Sequence, residues 1–447
     1  MRTVQHSHSS TSGNTALKSR FPIVETTLDK IVGGGQAIGT HPDGRKLFVW
    51  GGLPGETVQV QITKKRSKLA EGRVVEVITP SEQRIDPRDP SSYLSTSPWQ
   101  IMTPELEGHY KAALIEEAFE LHDIVLPDPI EVKTDGNRFE YRNKMEFSFY
   151  WDVESSTLDL AFFVRASKGK VPVDGSALAR NEINTLARAV RDLLRTKPIE
   201  GRSLKTLMIR SNQAGQCVWQ LYLKDDMPKL ISKEEAANLP AIGGQLIYSD
   251  PKSPASKITK VLASFGETKL QDTVRDIPFT YTADGFFQVN LPLYEMALQD
   301  MHSWLSDLPT IDMYSGIGTI GLTIGNPSAT ILIELDDSAV ASMRQNIIAL
   351  SSNAQAVHAS SETVLNHITK DADIILDPPR AGLHPDVVKR LLETGPARII
   401  YLSCNPVTQA RDVALLAERY GIRSHVGYNF FPATPHIEHL VILDLKA

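Results

Sequence analysis

The sequence predicts an α/β protein whose C-terminal part is a doubly wound parallel sheet. Three observations carry this. From about Pro309, short apolar runs alternate with helical stretches, the pattern of βαβ units. The first run flows into a glycine-rich segment, Tyr314-Ser315-Gly316-Ile317-Gly318-Thr319-Ile320-Gly321, which suits a strand–loop–helix turn. Two later runs end in uncommon punctuation, Asp377-Pro378-Pro379-Arg380 and Ser403-Cys404-Asn405-Pro406.

A chain of 447 residues is long enough for two to four domains. Apolar residues make up 41% and charged residues 22%, which excludes a disordered or membrane-embedded chain. No apolar stretch is long enough to span a bilayer. Two cysteines, Cys217 and Cys404, cannot form a disulfide framework or an all-cysteine metal site, and they fit a reducing, cytoplasmic setting. Net charge is −6, but residues 1–90 carry 13 Lys+Arg against 9 Asp+Glu. The front of the chain can therefore meet a polyanion while the remainder is acidic.

In chain order, residues 1–20 are rich in Ser, Thr and His and read as a disordered tail. Their basic, acid-free character also fits a transit peptide. Residues 21–82 read as a small barrel of the OB type. Gly33-Gly34-Gly35, Pro42-Asp43-Gly44 and Pro54-Gly55 mark its turns. Val58, Val60 and Ile62 alternate with polar residues, and Val75 and Val77 repeat that alternation. Between them, Lys64-Lys65-Arg66-Ser67-Lys68 is either a nucleic-acid contact or a solvated hairpin tip. Residues 83–280 read as α+β. A helix over 104–122 has Leu106, Tyr110, Ala113, Leu114, Ala118 and Leu121 on one face and is expected to pack on the C-terminal domain. Strands follow at 144–149, 158–164, 207–210 and 218–223, with a helix over 181–195. In residues 281–447 the strands fall at 310–313, 329–333, 374–376 and 399–402, with a late pair around Val426 and 440–445.

Gly316, Gly318 and Gly321 spell G-x-G-x-x-G, and Glu334 closes the next strand. Taken literally this is a dinucleotide fingerprint, so a dinucleotide-dependent oxidoreductase stays open at this point. S-adenosylmethionine enzymes use the same loop and acid without a pyrophosphate. The prolines of Asp377-Pro378-Pro379-Arg380 stiffen a strand-ending turn, either as plain punctuation or as a rigid lip over a ligand. Amino-nitrogen methyltransferases place an aromatic ring where Arg380 stands, which argues against that chemistry. Cys404, a lone thiol after the apolar run 397–402, is placed like a nucleophile.

Five segments in the last 170 residues resemble, in order, the RNA uracil-5-methyltransferases. They are Phe286-Phe287-Gln288-Val289-Asn290, Asp312-Met313-Tyr314-Ser315-Gly316, Asp377-Pro378-Pro379-Arg380, Ser403-Cys404-Asn405-Pro406 through Arg411-Asp412, and Phe431-Pro432 through Thr434-Pro435-His436-Ile437-Glu438. Tyr141-Arg142-Asn143-Lys144 is similar as well, and the N-terminal barrel resembles a TRAM domain. The resemblance covers about residues 21–447. It implies a Rossmann-like methyltransferase domain, S-adenosyl-L-methionine as cofactor, and an RNA substrate, rRNA before tRNA, with the chain acting as a monomer. It departs from the family in one respect. Many members hold an iron–sulfur cluster on four cysteines, but residues 93–100 and 174–181 here contain none, so no such cluster is expected.

By this resemblance Cys404 is the nucleophile toward C6 of a uridine and Glu438 the base that removes the C5 proton. Gln288, Tyr314, Glu334 and Asp377 are implied at the cofactor, and Arg142 at the RNA. From the residues alone, Arg142 is as readily a surface ion pair, Glu438 a solvated carboxylate, and Gln288 an odd core residue unless its amide finds a partner. Nothing near Cys404 in sequence explains how its thiol would be activated. A non-catalytic RNA-binding protein is the remaining rival, and it would need neither the cysteine nor the carboxylate.

Overall fold

A computed structural model describes residues 21–446 apart from Lys168; the expected tail, residues 1–20, lies outside the described residues. The chain divides into two compact units, one holding most of residues 21–82 and one holding the rest.

The first unit is a closed barrel of β1 (Ile23–Ile31), β2 (Ala37–Thr40), β3 (Lys46–Trp50), β4 (Thr57–Lys65) and β5 (Leu69–Thr79), ordered β1-β2-β3-β5-β4. Closure pairs every edge strand. Val58, Val60 and Ile62 are buried with Leu28, Leu47, Val49 and Ala70. The alternation does not continue through β5. Irregularities in the β4–β5 register leave Val75 without a partner between the pairs Val60–Val74 and Gln59–Glu76, and Val75 is exposed. One extra residue changes which face a strand presents, and that cannot be read from valine spacing. The basic loop is the exposed β4–β5 tip, where Lys64 and Arg66 face Glu71 at 3.6 and 4.0 Å.

In the second unit, the helix Pro104–Glu120 starts at Thr103, whose hydroxyl accepts from Leu106 N, with proline in the first turn. It buries a different face from the one its apolar residues suggest. Glu107, Lys111, Ile115, Ala118 and Phe119 are buried, while Leu121 is exposed. The reason is an internal ion network. The Glu107 carboxylate lies 3.1 Å from Lys111 Nζ and 3.0 Å from Arg138 Nη2. Ile115, Ala118 and Phe119 join the core of the C-terminal sheet. The short strand β6 (Val132–Lys133) also belongs to that sheet.

The central sheet contains β7 (Lys144–Asp152), β8 (Thr157–Phe163), β9 (Lys170–Val173), β10 (Leu204–Ser211), β11 (Cys217–Leu223), β12 (Gly243–Tyr248) and β13 (Lys260–Gly266), ordered β13-β12-β11-β10-β7-β8-β9. Helix Asn181–Arg195 covers one face through Ile183, Leu186, Val190 and Leu194. A hairpin, β14 (Lys269–Val274) and β15 (Ile277–Thr282), leads on. The two cysteine-free stretches are joined by hydrogen bonds. Gln100 Nε2 donates to Ser97 Oγ at 2.6 Å and to Asp89 Oδ2 at 3.2 Å, and that Asp89 oxygen accepts from Ala177 N at 2.9 Å.

The C-terminal sheet adds β16 (Thr310–Met313), β17 (Thr330–Glu334), β18 (Gln355–His358), β19 (Asp373–Leu376), β20 (Arg398–Ser403), β21 (Tyr420–Tyr428) and β22 (Glu438–Leu445). Its order is β18-β17-β16-β19-β20-β22-β21-β6. Strands β16 to β20 are parallel, and β22 runs antiparallel between β20 and β21. Strand order therefore reverses at β16, and the carboxyl ends beside that point are where open α/β sheets bind ligands.

Candidate active site

At that edge lies a cavity of about 1420 Å³. Each parallel strand delivers a residue to it as the chain leaves the sheet: Tyr314 after β16, Glu334 at the end of β17, Ser361 and Glu362 after β18, Asp377 after β19 and Cys404 after β20. Because β22 is antiparallel, its first residue, Glu438, comes to the same edge. Ser403 pairs with His439, so Cys404 and Glu438 stand opposite each other at the strand ends. Gln288 reaches the cavity from the loop after β15. Six of the seven residues predicted from sequence thus share one cavity. Arg142 does not line it; its guanidinium lies 6.0 Å from the ring centre of Phe431, which does. Arg142 makes no ion pair among the described residues.

The glycine segment is shaped by close contacts. Gly316 and Gly318 have φ of +56° and +88°, open to glycine at little cost. A Cβ on Gly321 would lie 2.3 Å from Leu332 Cδ2. Tyr314 also holds a positive φ, +67°, which is strained for a bulky residue and typical of functional turns. Its hydroxyl accepts from Ser361 Oγ at 2.9 Å. Glu334 accepts from Gly316 N at 2.9 Å, Leu335 N at 2.7 Å and Asp336 N at 2.8 Å, leaving acceptor capacity on the cavity side.

Near this loop the lining carboxylates are Glu334, Asp336 and Glu362, following the adjacent strands β17 and β18. Such an acidic end repels a pyrophosphate and suits a ligand with positive charge. The buried Gln288 amide makes no hydrogen bond to the described residues and is free for a ligand. These features fit S-adenosylmethionine, with its ribose, ammonium and sulfonium groups, better than a dinucleotide.

Cys404 is presented by a short turn. Asn405 caps the helix Pro406–Leu416, accepting from Val407 N at 3.3 Å, with Pro406 in the first turn. Its amide also donates to Arg380 O at 2.9 Å, which ties the cysteine turn to the Asp-Pro-Pro-Arg lip. Behind the lip, Arg411 donates to Ala381 O at 3.0 Å and Asp412 accepts from Leu383 N at 2.8 Å.

The electrostatics run against a ready thiolate. Burial, then the charges of Glu438 and Asp377, push the Cys404 thiol up to about 11, against a hydrogen bond and positive charge from Arg380. The missing charged neighbour is therefore Arg380, which sequence placed only on a lip 24 positions away. Burial pushes Asp377 up to about 7. Glu438 is raised well above its ordinary value by burial and then by Asp377, so both carboxyls favour the protonated form more than exposed ones do. His436, which sequence reading also passed over, sits 3.3 Å from Arg380 Nη2 and meets the Phe431 ring edge-on. Its signal was position, two residues before Glu438 in an already notable segment.

A strand-end cavity with a cysteine, two buried carboxyls and a glycine loop, on a doubly wound sheet, is the arrangement of a Rossmann-like methyltransferase. The tRNA (Uracil-5-)-methyltransferase family model matches residues 110–446, and the TRAM domain model matches residues 27–75. The chain belongs to the tRNA (uracil-5-)-methyltransferase family and carries a TRAM domain; it is an RNA methyltransferase. An uncharacterized RNA methyltransferase of Nitratidesulfovibrio vulgaris is 28% identical over 95% of this chain and 96% of its own length. One from Enterococcus faecalis is 29% identical over 89% and 92%. The fold is similar to that of Pyrococcus abyssi tRNA (uracil-54, C5)-methyltransferase, solved with S-adenosyl-L-homocysteine. The TM-score is 0.78 at 20% identity, over 94% of this chain and all of that one. Among the described residues, no helix is long and apolar enough to cross a membrane, and no group of His, Cys, Asp and Glu is arranged to hold a metal ion.

Proposed function

We propose that this enzyme methylates C5 of a uridine in RNA through a covalent bond between Cys404 and C6. The observation that carries the reading is the placement of Cys404 and Glu438 next to the terminal Ser403–His439 pair of β20 and β22, with Asp377 and Arg380 in the same cavity. Bound S-adenosylmethionine supplies an electrophilic methyl group, and Gln288, Tyr314, Glu334 and Asp377 are the residues that would hold it. Uracil C5 is a weak nucleophile. Addition of Cys404 Sγ at C6 moves the C5–C6 electron pair toward O4 and makes C5 an enolate carbon. After C5 has gained the methyl group, Glu438 takes the C5 proton, the double bond re-forms and the C6–S bond breaks.

Arg380 favours the thiolate directly. The proton held by Glu438 or Asp377 in the free enzyme removes part of the negative charge that opposes it. Glu438 must then lose its proton before it can act as base, so both states of this carboxyl are used. The target base in folded RNA is turned out of its stack to reach the cavity, and Arg142, over Phe431 and without an ion pair among the described residues, is an RNA contact.

For the RNA we infer rRNA, with tRNA the alternative; the exposed basic tip of the barrel supports a polyanionic partner. Glu438→Gln should stall after methyl transfer and give a protein–RNA adduct that survives a denaturing gel. Full turnover by this variant would remove Glu438 from its role. Mass spectrometry of rRNA and tRNA from cells lacking the enzyme should show one 5-methyluridine missing and so name the RNA.

A further inference from the structure

The run Tyr141-Arg142-Asn143-Lys144 touches two loops of the cavity with successive residues. On one side, Tyr141 Oη donates to Pro432 O at 3.1 Å, and Arg142 lies over Phe431. On the other, Asn143 donates from its side chain to Gln288 O at 2.9 Å and from its backbone to Val289 O at 3.4 Å, and Lys144 Nζ donates to Asp284 O at 3.3 Å. Arg210, paired with Lys144 across β7 and β10, completes this side. It donates to Gly285 O at 2.5 Å and Phe287 O at 2.6 Å and lies 5.0 Å from the Tyr281 ring centre.

Asn143 and Arg210 are buried, and among the described residues no carboxylate is bound to Arg210. Burying a guanidinium costs several kcal/mol unless its donors find partners; Nη1 and Nη2 find theirs in main-chain carbonyls of one loop, while Nε has none among the described residues. Burial lowers Arg210 to about 10 and Lys144 to about 8, consistent with cations committed to backbone oxygen and not to a counter-ion.

We propose that residues 141–144, with Arg210, form a two-sided strap that fixes the separation of the Gln288 loop from the Phe431 loop, and that Asn143 and Lys144 are positioning residues for methyl transfer. The proposal rests on the reading of the cavity as a uridine-C5 methyltransferase site. Addition of Cys404 to C6 needs only the base, the thiol and the groups beside it. Methyl transfer needs, in addition, the donor held in line with C5, and a misplacement of about 1 Å can cost about 100-fold. Straps to the Gln288 loop should therefore matter for the second step alone.

The two steps can be read separately. With RNA carrying tritium at uridine C5 and no cofactor, Cys404 adds at C6 and a solvent proton joins C5. Glu438 then takes the triton from C5, the double bond re-forms and the C6–S bond breaks, so tritium release measures addition and elimination without methyl transfer. Single-turnover methyl transfer at saturating S-adenosylmethionine measures both steps. For Asn143→Ser and Lys144→Met, tritium release should stay within about twofold of wild type while methyl transfer falls about tenfold or more. Lys144→Arg should restore most of the loss, and Tyr141→Phe, on the other side, should lower both readouts together. Equal loss of both readouts in Lys144→Met, or loss of neither, would overturn the strap. Lys144 is half-buried and its variant carries the test if Asn143→Ser does not fold. If wild type shows neither tritium release nor methyl transfer on any RNA, the functional reading fails instead.

Discussion

The strand-end wall of the cavity is held by residues close in sequence, and the loop wall opposite by residues about 300 positions away. Gly316 N to Glu334, Gly321 N to Asp312 Oδ2 and Ser361 to Tyr314 span 18, 9 and 47 positions. The loop 429–436 is fixed by Tyr141 to Pro432, Lys111 to Phe431 O and Asn429 to Glu107, spanning 291, 320 and 322 positions. Glu107 alone accepts from Asn429, from Ala433 N, from Arg138 and from Lys111. The first wall can form with its own βαβ unit. The second is tied to the helix Pro104–Glu120, so the loop that carries Phe431 and His436 into the cavity depends on a helix that contains no residue of the cavity.

That contrast gives the order of expected effects. Cys404→Ala should abolish methyl transfer while leaving both walls folded, so cofactor binding measured by calorimetry should persist. Retained methyl transfer would break the covalent mechanism. Glu107→Gln should strike the loop wall. Lys111 and Arg138 would be left buried without an anion, a loss of about 3–5 kcal/mol in unfolding free energy by denaturant titration. Glu334→Gln, on the local wall, removes a charged acceptor from three backbone donors and should cost about 1–3 kcal/mol. Equal losses at the two positions would erase the distinction.

Alkylation of Cys404 by iodoacetamide should rise steadily from pH 7 to pH 10, because the thiolate fraction grows with pH up to the thiol's pKa of about 11. Arg380→Met should slow it at every pH in that range. Cys217, buried and raised to about 12, serves as the unreactive internal control. Another effect concerns Asp377. Its folded pKa, about 7, lies above its unfolded value near 3.8. Between these values the folded state holds a proton that the unfolded state has lost, so this group makes stability fall as pH rises. In Asp377→Asn that part of the slope should vanish from unfolding free energies measured between pH 4 and pH 7.

Much of this molecule was legible in the residues. The strands after Pro309, the barrel and the helix 181–195 follow from apolar spacing, because a strand or helix face is a local pattern. Cys404, Asp377, Glu334 and Tyr314 could be singled out because each directly follows or ends a parallel strand, and the chemistry of such ends is set by topology. Other features required the tertiary structure. The face of helix Pro104–Glu120 was misjudged because two of its buried residues are charged, and their partners, Arg138 and Asn429, are chosen by docking. Val75 was misjudged because an irregular pairing reset the face of β5. The neighbour of Cys404 proved to be Arg380, which works from another strand end. The motif 141–144, read for one arginine, proved to touch both loops of the cavity. Sequence alone determined which elements form and which residues stand at their ends. Only the assembled structure decided which charges meet across those ends, because electrostatic partnership depends on distance in space and on the water excluded between the groups.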